Sequence, residues 1–227
     1  MAQSLDLEEQ EQLDQLKHFW SRYGNAITWA LIVIFGSFAA WNGWNYWQRK
    51  QAMGASALYD EIERAVTDKD AQRMERALSD MKDEFAATTF AQQGALLAAN
   101  GLNTAGKPDQ AKAALAWAAD QKGDDGLQAL ARLRLAALAL EANAPDEASK
   151  WLDAPMPTEF AALVADRQGD VHLAQGRKTE ARASFEKAYQ LFEEKTEYRQ
   201  LVEVKLNALG VDPKANVSPA APAVVGK

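Results

Sequence analysis

His18 and His172 are the only imidazoles in the chain, and they stand far apart in sequence. A general base or a metal ligand needs partners at matching spacing. Neither histidine lies in the glycine-framed elbow or strand-end context that would pair it with a nucleophile. His172 falls instead in a stretch of helical periodicity, where a packed or partly exposed ring serves structure. Cysteine is absent, which removes disulfides, thiol nucleophiles and every zinc or iron-sulfur site built on thiolates. Gly123-Asp124-Asp125-Gly126 has the acidity of a calcium loop. It lacks the alternating oxygen ligands and the closing glutamate, and so reads as a turn with a helix cap. No G-x-G-x-x-G or Walker sequence offers a phosphate cradle. Carboxylates such as Glu180, Glu186 and Glu193 are spread over polar helix faces, where they serve solubility and side-chain pairing. The expectation is a protein with no catalytic residue, cofactor or metal.

The balance of charge narrows the partners. With 32 acidic and 25 basic residues the formal charge is -7, which repels a phosphate backbone, so nucleic acid is excluded as a partner. The 227 residues are enough to bury a core without staples.

The elements that would position any interaction surface begin with a membrane segment. Ala26 to Trp47 reads AITWALIVIFGSFAAWNGWNYW, 22 residues without a charge, and a helix of that length spans about 33 Å, close to the hydrocarbon thickness of a bilayer. Aromatic residues flank its most apolar part, Ile27 to Ala40: Phe19, Trp20 and Tyr23 before, and Trp41, Trp44, Tyr46 and Trp47 after, with Arg49-Lys50 directly behind. Trp20, Tyr23, Trp41, Trp44 and Trp47 are therefore read as membrane-interface aromatics. The leader is long and acid-rich rather than short and positive, so the segment reads as a retained anchor and not a cleaved signal. Gly36, Ala40 and Gly43 share one helix face, on which a second membrane helix could approach closely; the frequency of Gly and Ala in such helices is the alternative account. Lys17 and Arg22 on one side nearly balance Arg49, Lys50 and Arg64 on the other, and charge alone leaves the orientation open.

After the anchor, apolar residues recur at helical spacing, and Gly or Pro punctuates the chain. Helices are predicted near 52–67, 70–85, 88–104, 108–121, 125–142, 145–154, 158–175, 177–194 and 197–209, and no sheet is needed. Three stretches align without gaps: GKPDQAKAAL from Gly106, NAPDEASKWL from Asn143 and GRKTEARASF from Gly176. Each opens on a residue that tolerates a left-handed turn. Ala111, Ala148 or Ala181 follows five later, and Leu115, Leu152 or Phe185 four beyond that. Twelve residues before each alanine stands another small residue, Ala99, Ala136 or Gly169. These residues, with Ala188, are read as the packing positions of a helix-turn-helix repeat. The pattern resembles the tetratricopeptide repeat, and the stretch 162–195 carries its best copy, with Gly169, Ala181, Phe185 and Ala188 matching. Gln168 and His172 depart from it, standing where that repeat prefers Leu and Tyr. Beyond Leu209 the proline-rich GVDPKANVSPAAPAVVGK reads as a disordered tail. Residues 4–22 read equally as a short amphipathic helix or a solvated leader.

An acidic leader, an anchor ending in W-x-x-W-N-Y-W-Q and a degenerate repeat domain together resemble the YfgM-type ancillary subunits of the bacterial SecYEG translocon. The most specific stretch is Trp41 to Met53, WNGWNYWQRKQAM. The resemblance implies an all-α chain in which a single transmembrane helix precedes a tetratricopeptide-like, right-handed solenoid of helical hairpins. Its parts would be a cytoplasmic leader (1–24), the transmembrane helix (25–47), the repeat domain (48–210) in the periplasm and the tail (211–227). It implies a bacterial inner-membrane location. The implied partners are SecYEG, the membrane-anchored periplasmic chaperone PpiD and unfolded polypeptide clients. A membrane-tethered holdase or assembly scaffold acting away from the translocon is the alternative.

Overall fold

The computed structural model describes residues 7–214. Residues 1–6 of the leader and 215–227 of the expected tail lie outside the described residues. Every regular element described is helical, as expected of a chain rich in Ala, Leu, Glu, Gln, Lys and Arg. The chain divides at Met53/Gly54 into two units.

The first unit consists of the N-terminal part of α1 (Leu7–Thr67). The helix is the one element among the described residues long and apolar enough to cross a membrane. Sequence reasoning separated a membrane helix from a second helix starting near 52. The structure shows no break, because Gln48, Arg49, Lys50 and Gln51 are all good helix formers and no proline intervenes.

The second unit continues with α2 (Ala71–Phe85), α3 (Thr89–Thr104), α4 (Pro108–Asp120), α5 (Asp125–Glu141), α6 (Pro145–Leu152), a 3-10 turn (Thr158–Phe160), α7 (Ala161–Ala174), α8 (Lys178–Leu191) and α9 (Glu197–Ala208). Local chemistry sets the starts. The side chains of Asp70, Thr88 and Asp124 each accept a hydrogen bond from the backbone N–H three residues on, and Pro108 and Pro145 open α4 and α6, where a missing N–H costs nothing.

The stops follow one rule. Lys69, Gly106, Asn143, Gly176 and Gly210 all have φ between 54° and 79°. At each, its N–H donates to the carbonyl three residues back, and the next N–H donates to the carbonyl five back, as in Asp70 to Ala65, Lys107 to Leu102, Ala144 to Ala139, Arg177 to His172 and Val211 to Leu206. This is the Schellman closure, five times over. The spacings are 37, 37, 33 and 34 residues, so the repeat register extends one hairpin before and one turn after the three aligned stretches. In the added first copy Met74 and Leu78 take the places of Ala111 and Leu115, and both are buried.

From α2 onward each helix packs on its sequence neighbour, and α5 also contacts both α3 and α7. The first helices of successive hairpins thus form one continuous face, as in a solenoid. Three apolar clusters run along the unit. The first joins Ile62 and Ala65 to α2, α3, α4 and part of α5, the second lies among α5, α6 and α7, and the third among α7, α8 and α9.

Candidate interaction surface

The repeat residues are sorted by cluster. Ala99, Ala111 and Leu115 are buried together in the first, Ala136, Ala148 and Leu152 in the second, and Ala181, Phe185 and Ala188 in the third. Gly169 faces Phe185 so closely that a Cβ there would lie 2.7 Å from the ring Cζ. Small residues thus let two antiparallel helices approach to the point where a ring fills the space of a missing side chain.

On α1, Trp20, Tyr23, Trp41, Trp44 and Trp47 are all exposed, Trp41 at 66% and Trp44 at 57%. Trp44 and Trp47 stack tilted with ring centroids 5.3 Å apart. A Cβ on Gly36 or Gly43 would meet no neighbouring atom within 4 Å, and Ala40 is exposed between them. An open apolar helix surface of this kind needs lipid or another helix around it.

The residues first considered for chemistry are placed apart. His172 lies on α7 with Nδ1 3.4 Å from Ser184 Oγ, and Asp124 caps α5 through Leu127 N at 2.9 Å. Glu186 pairs with Arg182 on the surface of α8. Among the described residues no group of three or more His, Asp or Glu is arranged to hold a metal ion.

Sequence reasoning missed a polar clasp between α7 and α9. Asp166 is fully buried. Lys205 Nζ sits 2.8 Å from Asp166 Oδ1 and 2.8 Å from Asp170 Oδ1, and 5.1 Å from the centre of the Phe185 ring. Tyr198 donates its hydroxyl to Asp166 Oδ2 at 2.9 Å. Burial, and then the Asp166 charge, pushes the Tyr198 phenol up to about 12. Burial also raises Asp170, an effect that Lys205 opposes. No local pattern marks these residues, because Asp166 and Lys205 are 39 positions apart.

Fold and surface together define the class: a scaffold of helical hairpins carried on a helix able to cross a membrane. The Tetratricopeptide repeat-like domain family matches residues 17–211. The Ancillary SecYEG translocon subunit of Haemophilus influenzae is 30% identical over 203 residues, covering 89% of this chain and 98% of that protein. The protein of the same name from Neisseria gonorrhoeae is 28% identical over 207 residues, with the same two coverages. The one from Escherichia coli is 29% identical over 181 residues, covering 78% of this chain and 85% of its own length. No solved structure is a significant match. The chain belongs to the tetratricopeptide repeat-like family of YfgM-type ancillary SecYEG translocon subunits.

Proposed function

We propose that this chain is a non-catalytic subunit ancillary to the Sec translocon of a bacterial inner membrane, and that it links emerging polypeptides to periplasmic chaperones. In this reading residues 25–47 span the membrane, the leader (1–24) is cytoplasmic, the repeat domain (48–210) is periplasmic and the tail is 211–227. SecYEG, a membrane-anchored chaperone of the PpiD type and unfolded clients are its partners. The observation that carries the reading is collinearity. Relatives named ancillary translocon subunits align over 89% of the chain, a length that takes in anchor and hairpins alike.

The physics supports the division of labour. The anchor confines the repeat surface to the neighbourhood of the channel, and tethering raises effective concentration, so weak contacts suffice. A surface built by stacked hairpins is continuous and shape-selective, which suits extended polypeptide. The test is affinity purification of the full-length chain from membranes dissolved in mild detergent. SecYEG subunits should copurify, and replacing 26–47 with an unrelated apolar span should remove them. Recovery of unfolded clients without any channel subunit would leave the tethered holdase instead.

A further inference from the structure

Burial lowers the pKa of two cations among the described residues, Lys82 and Arg134. Lys82 Nζ has the Trp117 ring 5.1 Å away as a partner. Arg134, half-buried on α5, has a single acceptor among the described residues, the main-chain carbonyl of Leu96 on α3, 3.0 Å from its Nη1. That carbonyl lies within a helix and already accepts the helix's own bond. Among the described residues no carboxylate lies within ion-pair reach of Arg134, whereas Arg73, Arg167 and Arg182 each have one. A guanidinium presents five N–H donors in a fixed fork that matches a carboxylate. Arg134 thus keeps most of its donors unmatched at a place where water is partly excluded, and a charge so placed gains most from an arriving anion. Its surroundings are apolar: Leu130 and Leu138 lie one turn to either side on α5 and Leu97 beside Leu96 on α3, all half-buried. The site is on the face that α3, α5 and α7 form together.

We infer that Arg134 is a binding residue for an acidic side chain, Asp or Glu, of an extended polypeptide whose neighbouring apolar residues lie against Leu97, Leu130 and Leu138. The inference rests on the reading of the hairpin face as a polypeptide-binding surface. Charge complementarity is local, since the net charge of -7 disfavours acidic peptides and nonspecific attraction would give the opposite preference.

The test uses the full-length chain in detergent and two dye-labelled peptides of Leu, Ala and Ser. The peptides are acetylated and amidated and differ only in a central Glu or Gln. The Glu peptide should bind about tenfold more tightly, the scale of one charge-assisted contact. Arg134→Gln should bring both peptides to the affinity of the Gln peptide, and Arg134→Lys, which keeps the charge without the fork, should leave a smaller preference. Equal binding of the two peptides to the unaltered chain, binding of neither, or a preference that survives Arg134→Gln overturns the proposal. So does a peptide with a free C-terminus and no Glu that binds as well as the Glu peptide. Copurification of SecYEG with the Arg134→Gln chain separates this failure from failure of the translocon reading.

Discussion

Gly169 on α7 and Phe185 on α8 occupy one volume: the Phe185 ring fills the space where a side chain at 169 would stand. Phe185 is fully buried, so the ring cannot swing away. Gly169→Ala should therefore lower stability by about 1–3 kcal/mol through overpacking, although alanine is the better helix former. Thermal unfolding of the full-length chain in detergent checks it. Gly169→Ala combined with Phe185→Leu should cost less than the two single losses added, because the smaller side chain makes room.

The clasp between α7 and α9 gives a second expectation. Lys205→Met removes the cation between Asp166 and Asp170 and leaves the buried Asp166 without its ion pair, while Asp170 keeps Arg167, a loss of about 3–5 kcal/mol. Hydrogen exchange should show α9 opening first, since α9 loses its ion pairs to α7 and keeps only the Tyr198 hydrogen bond, while α8 keeps its own packing on α7.

Tyr198 gives that clasp a pH limit. Its phenol is raised from 10.0 to about 12 in the folded chain, so the folded state holds this proton more tightly than the unfolded state. The contribution is complete below pH 10 and is lost as pH rises toward 12. Stability measured across that window should fall more steeply for the unaltered chain than for Tyr198→Phe, and the Phe variant should lose the late step in a tyrosinate absorbance titration.

Most of the helix order is legible in the sequence because Gly, Pro and Asn mark the turns at Gly106, Asn143 and Gly176, and the structure gives all three a positive φ. The two helices of the first hairpin were expected near 52–67 and 70–85, but their place in the repeat was not, because Lys69, Met74 and Ile62 stand where the other copies have Gly or Asn, Ala and a small residue, so identity failed while geometry persisted. A lysine held at φ 56° is strained where glycine would not be, and Lys69→Gly should stabilise the chain by about 1 kcal/mol, read from the unfolding midpoint. The continuity of α1 was hidden by the change from apolar to charged residues after Trp47, which alters solvent preference without interrupting helix propensity. Arg134, like the clasp, is invisible to spacing, since its lack of a carboxylate is a property of the packed helices.

Orientation follows from the proposed function and is open to a clean test, because the sequence contains no cysteine. A single Cys at Ser4 or at Ser218, both outside the described residues, would be the only thiol. An impermeant maleimide applied to spheroplasts should label position 218 and leave position 4 protected until the membrane is opened. Labelling at 4 from outside would reverse the topology.

The central claim is that the anchor places this chain beside the protein-conducting channel, and the most direct measurement is photo-crosslinking in intact membranes from the face of α1 that carries Gly36, Ala40 and Gly43. Small residues permit the closest approach of another helix there. A crosslinker at each position should capture a subunit of SecYEG, with the strongest product at the position closest to the partner helix. Capture of lipid and copies of the same chain alone, at all three positions, would contradict the account.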